Sequence, residues 1–315
     1  MNVAPFSDLE ELAPYASDWD RLAAGNPFRG WAWSSTWWRH YGASGDRGAR
    51  LCVLGVKNER GRWIGLAPWY VERSAMWGRV LKFLGSGEVC SEYLGLLAEA
   101  GQEEAVADAV AGWLAAAREP ADRWDMAEWR SVDAEDAATR LLIEALQRRK
   151  LAVHCRPGPS CWRIALPPTW TDFFGALSPS RRKKIARAEN LWLNTGRTQV
   201  HVVHTAEDLA VGQEVLIDLH QRRRESLGER GCFHSSRCAS FHREVMRRLL
   251  AQNRLLLYWL SFDGRPVAAE YTMRGGSVLY AYQAGMAPES RALSPGHLSM
   301  MIGIRHAICE GYRAF

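Results

Sequence analysis

The sequence contains no apolar run near the roughly 18 residues that a membrane-spanning helix requires. Its first twelve residues include Asp8, Glu10 and Glu11 and no apolar stretch, so no secretory signal is present there. The cytoplasm is the expected location. There is no C-x-x-C pair, no H-E-x-x-H, no Walker A loop and no G-x-G-x-x-G after a strand. Metal, P-loop and dinucleotide chemistry therefore have no signature, and no metal is expected. The charge excess is small: 40 Lys plus Arg against 35 Asp plus Glu, a net +5. That permits an anionic ligand but does not argue for nucleic acid. Neither a 20–50-residue repeat nor a low-complexity tract is found.

What is present is ordinary in bulk and unusual in detail. At roughly 150 residues per domain, 315 residues suggest two domains. A chain that is 47% hydrophobic and 24% charged can bury enough surface to fold. The 15 Trp are about one residue in twenty, a high share. The seven Cys are odd in number and scattered, which predicts reduced and largely buried thiols.

The pattern predicts a mixed α and β protein. A helix is expected over Trp31–Tyr41, opened by Ser34 or Ser35. Leu51–Val56 and Trp63–Val71 read as a hairpin around Asn58-Glu59-Arg60-Gly61. Val80–Leu84 reads as a strand, Glu103–Ala117 as a helix, Trp124–Trp129 as a strand and Ala134–Arg149 as a helix. Val153–Cys155 and Cys161–Ala165 would close a first sheet. A boundary is placed at Pro167-Pro168, since consecutive prolines resist helix and sheet interiors. The expected domains are 1–167 and 168–315. The second opens with helices near Trp170–Leu177 and Ser180–Leu193. It continues with a strand at Val200–His204, a helix at Ala206–Glu225 and a helix marked by Phe241, Val245 and Leu249. Three strands follow, Leu255–Phe262, Arg265–Arg274 and Ser277–Gly285, joined by the hairpin dipeptides Asp263-Gly264 and Gly275-Gly276. A last helix starts at Ser294-Pro295-Gly296, with Ser as N-cap and Pro at the first helical position, and ends near Gly311.

That strand meander, short loop and helix start have the pattern of a known acyl-CoA-binding arrangement. The amides of Gly296, His297 and Leu298 are expected to lack intrahelical acceptors, and the helix dipole adds positive potential. A pyrophosphate can dock there, with Gly296 allowing close approach and Arg291, Ser294 and His297 adding polar groups. The strand end Gln283-Ala284-Gly285-Met286 offers backbone groups to a pantetheine arm. An ordinary strand–loop–helix connection has the same local pattern.

Acyl transfer needs a base, polarisation of the carbonyl and an acid for the leaving thiolate. Glu270, in the apolar stretch Val267–Tyr271, is either a buried base of raised pKa or an edge carboxylate. Tyr280 and Tyr282 share one strand face by alternation, and either can serve as acid or pack. This mechanism requires no covalent nucleophile, so Cys232, Cys238 and Cys309 are left without a role. Glu88, Glu92 and Tyr93, in a glycine-rich polar loop, are candidate contacts for a cationic or polyhydroxyl acceptor, or simply a tight turn. Trp33, in the run Trp31–Trp38, is a candidate sugar-stacking residue, with core packing as the alternative. Arg223 belongs to a basic run, Arg222–Arg224. A second run, Arg181–Lys184, sits unfavourably against a helix dipole, hinting at an anionic partner or else a solvated face. His201 and His204, three apart on a strand, face opposite sides and make a poor metal pair.

Several stretches resemble one family: Trp37-Trp38-Arg39-His40-Tyr41-Gly42, Phe83–Leu94, Leu177–Lys184, Gly264–Tyr271 and Leu293–Leu298. In this order they resemble the CelD-like, also called BioF2-like, GNAT-fold acyltransferases, relatives of the Fem-type peptidyltransferases. The resemblance spans nearly the whole chain. It implies two GNAT-like lobes, each a mixed, mainly antiparallel sheet flanked by helices. The first lobe is expected to be degenerate and the second to bind an acyl-CoA, acetyl-CoA or another. Members of that family continue past the equivalent of Gly311–Phe315 with a further strand, so the second lobe is expected to lack its last strand. The implied activity is transfer of an acyl group, acetyl first, to an amine or hydroxyl. The acceptor would be a small molecule, a sugar-derived or polysaccharide-precursor compound held between the lobes, in cellulose or exopolysaccharide synthesis. Two alternatives stand beside it: a Fem-type transferase using aminoacyl-tRNA, the only setting in which nucleic acid would be a partner, and a non-catalytic ligand-binding module.

Overall fold

Strand-forming sequence is concentrated in two clusters, and each builds its own sheet. The computed structural model of the protein describes residues 1–42, 48–116 and 123–315. The chain divides into two units, Met1–Cys161 and Trp162–Phe315.

The first unit runs β1 (Asn2–Phe6), α1 (Leu9–Leu12), α2 (Ala16–Leu22), α3 (Trp31–Trp37), β2 (Arg50–Lys57), β3 (Trp63–Ser74), β4 (Gly78–Phe83), β5 (Leu97–Ala98), α4 (Glu103–Ala116), β6 (Met126–Ala127) and α5 (Ala137–Arg148). The sheet order is β1-β2-β3-β4-β6, with β5 also on β3. All of these pairings are antiparallel except β4 with β6. Strands β2 and β3 are buried on both faces, which is why they read as near-continuous apolar runs. One core joins Leu54, Trp69 and Phe83 to Val106 and Val110 of α4 and Leu142 and Leu146 of α5. On another side Trp37 packs on Tyr70, ring centroids 4.9 Å apart.

The first unit departs from the sequence reading in three places. Helix α3 is not opened by Ser34 or Ser35, which lie inside it. It begins at Trp31, whose N–H donates to the Asp20 carboxylate at 2.8 Å. The cap thus comes from α2, eleven residues away, where no local pattern reveals it. Trp124–Trp129 contributes only the two residues of β6. Neither Val153–Cys155 nor Cys161–Ala165 joins the first sheet. Ile164 and Phe315 exchange backbone hydrogen bonds of 2.8 and 2.9 Å, and Leu166 N–H donates to Arg313 O. These residues therefore belong to the second unit, and Pro167-Pro168 lies within it.

The second unit runs α6 (Trp170–Ala176), α7 (Pro179–Trp192), β7 (Thr198–Val202), α8 (Ala206–Glu225), α9 (Ser236–Ala251), β8 (Leu255–Phe262), β9 (Arg265–Gly275), β10 (Val278–Met286) and α10 (Pro295–Cys309). Its sheet is wholly antiparallel in the order β10-β9-β8-β7. The turn between β8 and β9 has Asp263 at φ +48° and Gly264 at φ +76°, the conformation an Asp-Gly hairpin requires. Helix α8 starts in a complete capping box between Thr205 and Asp208. Helix α10 ends as predicted at Gly311: with Gly311 at φ +77°, Tyr312 N–H reaches Ala307 O and Gly311 N–H reaches Ile308 O. Helices α7 and α10 cover one sheet face, through Trp192, Leu260, Ala268 and Leu298. The last residues run parallel to β10, with Leu279 N–H donating to Ala314 O. Both units are thus mixed, mainly antiparallel sheets flanked by helices.

None of the seven thiols is joined in a disulfide, in line with the reduced state expected, but four are exposed: Cys90, Cys155, Cys161 and Cys309. They fall in loops and at a helix end, where no apolar period demands burial. No helix among the described residues is long and apolar enough to cross a membrane.

Candidate functional site

The start of α10 is where the sequence pointed, with an altered geometry. Ser294 sits in the left-handed region, φ +52° and ψ +48°, and its side chain makes no cap hydrogen bond. Its carbonyl accepts from His297 N–H at 3.1 Å and Leu298 N–H at 3.3 Å. Two of the three amides expected to be free are therefore used within the first turn, because its 3₁₀-like tightening turns them onto one carbonyl. Pro295 has no N–H, so Gly296 carries the remaining amide of this turn. A Cβ at Gly296 would stand 3.4 Å from Met286 Sδ, an ordinary contact. Gly296 and the end of β10 are thus neighbours, as a site joining Met286 to the helix start needs. Arg291 is exposed on the 3₁₀ turn before the helix.

Tertiary structure adds cations that the linear pattern kept apart. His297 is held below its ordinary pKa first by burial, then by the charges of Lys184 and Arg181. Helix α7 packs on α10 through Ala188 and Trp192 against Leu298, and the positive charge of its first turns is felt at His297. The N-terminus of α7 is capped by Ser178, whose hydroxyl accepts from Arg181 N–H. Arg182, in the same run, is spent on structure, donating to Gly175 O and Leu177 O.

Strand β10 carries a β-bulge between Ala281 and Gln283, so Tyr282 is the extra residue against β9. The ring of Tyr282 lies 5.2 Å from Tyr271, edge to face, and its hydroxyl is 3.2 Å from His242 Nε2 of α9. Tyr280, opposite Met273, is on the same strand two residues earlier and is partly buried. Gly285 has a packing duty. A Cβ there would fall 2.4 Å from His220 N and 2.7 Å from Leu219 C, so only glycine lets β10 approach the backbone of α8. The approach places Ala284 O 3.0 Å from His220 Nδ1.

Glu270 is buried, with 7% exposure, and pairs across the sheet with Tyr258 and Ala284. It faces α10. Burial lifts its pKa to about 8, and nearby Ser299 pulls weakly the other way. Tyr258 OH donates to Ser299 O at 2.9 Å and fills the space left by Gly303, where a Cβ would lie 2.5 Å from that hydroxyl. Tyr271, the next residue, points to the α9 side. Glu270 and Tyr282 therefore occupy opposite faces of one sheet and are not brought together.

The acceptor candidates are dispersed. Trp33 is fully buried in the first unit. Its indole N–H donates to Ser91 Oγ at 2.8 Å and its ring packs edge-on to Phe28 at 5.1 Å. With no exposed surface, Trp33 has no ring face open to a sugar. Glu88 is exposed and accepts from Tyr41 OH at 2.9 Å. Tyr93 takes φ +56°, and its carbonyl accepts from Arg29 Nε. Glu92 and Tyr93 both lie near Cys161, whose thiol is raised first by burial and then by the Glu92 charge. Arg223 is half-buried on α8. His201 stacks on Trp259 and bonds Ser261 Oγ, a packing role. Among the described residues no group of three His, Cys, Asp or Glu is placed to hold a metal ion. A cavity of about 430 Å³ lined by Leu166, Pro167, Asp172 and Phe173, among others, contains none of the candidate residues. Sequence reasoning missed His220 and His242, whose only linear signal is their place in helical apolar stripes.

Residues 179–315 match a family model described as an acetyltransferase (GNAT) domain. None of the curated proteins matches the chain significantly. Among solved structures, one described as FemX aligns with 100% of this chain and 87% of its own, with a TM-score of 0.66 at 11% identity. A conserved protein of unknown function from Bacteroides thetaiotaomicron VPI-5482 aligns with 99% of this chain and 89% of its own, with a TM-score of 0.54 at 11% identity. The C-terminal domain of a putative lysylphosphatidylglycerol synthetase from Agrobacterium fabrum aligns with 98% and 78%, with a TM-score of 0.50 at 13% identity. Residues 179–315 are therefore similar to acetyltransferase domains of the GNAT type, within a chain that shares the fold of FemX over its full length.

Proposed function

We propose that the second unit binds an acyl-CoA, acetyl-CoA first among them, and passes the acyl group to an amine or hydroxyl of a small acceptor. A sugar-derived or polysaccharide-precursor acceptor, as for the CelD-like proteins in cellulose or exopolysaccharide synthesis, and action in the cytoplasm are the finer parts of this reading. The observation that carries it is the packing of α7 against α10, through Ala188 and Trp192 on Leu298, with the charges of Lys184 and Arg181 felt at His297 in the first turn of α10. Cationic charge acting on a helix N-terminus is unfavourable without an anion and favourable with one. A pyrophosphate or phosphate of the donor supplies that anion, with Gly296 and Met286 beside it. Strand β10 offers its backbone to the pantetheine arm, and its bulge re-aims Tyr282 as a hydroxyl donor. Glu270, protonated at neutral pH and beneath α10, is placed to brace the helix start and not to take a proton from an exposed acceptor. No metal enters the scheme.

Calorimetry with acetyl-CoA tests the reading. Binding is expected at low salt, and the double charge reversal R181E/K184E should weaken it at least about tenfold, or about 1.4 kcal/mol. Unchanged affinity would remove the anion site. The fold shared with FemX favours a second reading, an aminoacyl-tRNA donor. It requires tRNA binding with a steep salt dependence, and no binding at low salt removes it. Failure to bind either donor would leave a ligand-binding module without chemistry.

A further inference from the structure

We propose that Cys232 is a nucleophile, paired with His220 as its base, that accepts the acyl group as a thioester before it reaches the acceptor. The proposal rests on the acyl-thioester donor of the preceding reading.

His220 lies near the end of α8 and is 2% exposed. Its Nδ1 is 3.0 Å from Ala284 O. A carbonyl oxygen only accepts, so Nδ1 carries the proton. In the neutral ring Nε2 is then a bare lone pair. Burial holds the ring neutral, pushing His220 below its ordinary pKa, with the Arg224 charge acting in the same direction. Nε2 points at Cys232 Sγ, 3.5 Å away. These are the three parts of an activated thiol: nucleophile, base, and a group that fixes the tautomer of the base.

Access and rigidity fit the role. Cys232 is partly exposed while its base is buried, as a thiol that must meet a substrate requires. It opens the 3₁₀ turn Cys232–His234 in the connection from α8 to α9. That connection is tied to α8 by Gln221 Nε2, which donates to Arg230 O at 2.8 Å. Gly231, at φ +72°, lets the chain pass Gln221, where a Cβ would lie 2.3 Å from Oε1. Phe233 packs edge-on to His220 at 5.0 Å and fixes the ring plane. The other groups around the pair are Arg224 of α8, Cys238 and His242 of α9, and Tyr282 of β10. Cys238 is fully buried and its thiol is pushed up, first by its hydrogen bond with Cys232 and then by burial. It keeps its proton and can donate to a thiolate at Cys232. The carbonyl that orients His220 belongs to Ala284, in the segment of β10 assigned to the pantetheine arm. On the donor path proposed above, the thiol lies one side chain away from the pantetheine segment.

In the first step the Cys232 thiol proton moves to His220 Nε2 as sulfur attacks the thioester carbonyl carbon. The donor carbon–sulfur bond breaks, and the departing thiolate takes the proton from His220. In the second step the acceptor amine or hydroxyl attacks the Cys232 thioester. Its proton passes through His220 to the Cys232 sulfur, and the free thiol is restored.

Two measurements on the reduced full chain decide it. In the first, alkylation by iodoacetamide is mapped by peptide mass. Cys232 should react at least about tenfold faster at neutral pH than the exposed Cys155 and Cys309, and H220Q should erase the excess. Thermal melts check that H220Q is folded, and the Cys155 and Cys309 rates serve as internal controls. Equal rates at the three thiols overturn the pairing. In the second, acetyl-CoA is added without acceptor and the acid-quenched protein is mapped. One acetyl group on Cys232 is expected, lost in C232S. Acetyl-CoA binding without acetylation of Cys232, together with unimpaired turnover in C232A, overturns the covalent step. If acetyl-CoA does not bind, the donor reading fails, and the alkylation result still decides for or against the activated thiol.

Discussion

Replacing Glu270 by glutamine isolates the energetics of a carboxyl group held neutral by its surroundings. Burial under α10 lifts the group from 4.5 to about 8. A raised folded-state pKa means that the folded chain binds the proton more tightly than the unfolded chain. The associated stability is fully present below pH 4.5 and is lost as pH rises toward 8. At about 1.4 kcal/mol per pH unit over most of that window, wild type should lose about 3–4 kcal/mol from this group between pH 5 and pH 8. Glutamine copies the shape of the neutral acid and cannot ionise. Urea unfolding of wild type and E270Q at pH 5, 6, 7 and 8 gives the difference directly, since every other titrating group cancels. The E270Q minus wild-type difference should become more favourable to the variant by that amount across the series. A difference that stays constant with pH would refute the buried, protonated carboxyl and return Glu270 to the role of an ionised base.

Two further outcomes follow from packing. G285A should lower the unfolding free energy by about 1–3 kcal/mol or more, because the new methyl meets the α8 backbone and no side chain can yield. A melting temperature within about 1 °C of wild type would refute that close approach. W33F should cost about 2–3 kcal/mol, by leaving the Ser91 hydroxyl unpaired and a gap beside Phe28. Urea unfolding measures it, and unchanged stability would return Trp33 to a ligand-facing role.

The legible parts of the fold were those written in adjacent residues. Asp263-Gly264 announced its hairpin, because only a few residue types accept two positive φ angles in succession. Thr205 and Asp208 mark the start of α8 by a bond pair three residues apart. Gly311 marks the end of α10 for the same local reason. Where the decisive partner is distant, the reading failed. The true cap of α3 is Asp20, and Ser294 adopts a left-handed conformation that leaves its hydroxyl uncapping. Ala165 pairs with Ala314, 149 residues along, so its sheet could not be read from its neighbourhood.

The candidate site divides the same way. From sequence alone came the meander, the helix start at Ser294-Pro295-Gly296 and the suspicion that Glu270 is buried. Each depends on periodicity or on the conformational limits of single residues, which act at short range. Tertiary structure alone set the charges of Arg181 and Lys184 to act on His297, turned Tyr282 to His242, separated Glu270 from Tyr282 across the sheet and seated His220 between Ala284 and Cys232. Those are spatial relations between residues 12 to 116 positions apart. Strand register, a bulge and the close packing allowed by one glycine set them, and none of these leaves a mark on neighbouring residues.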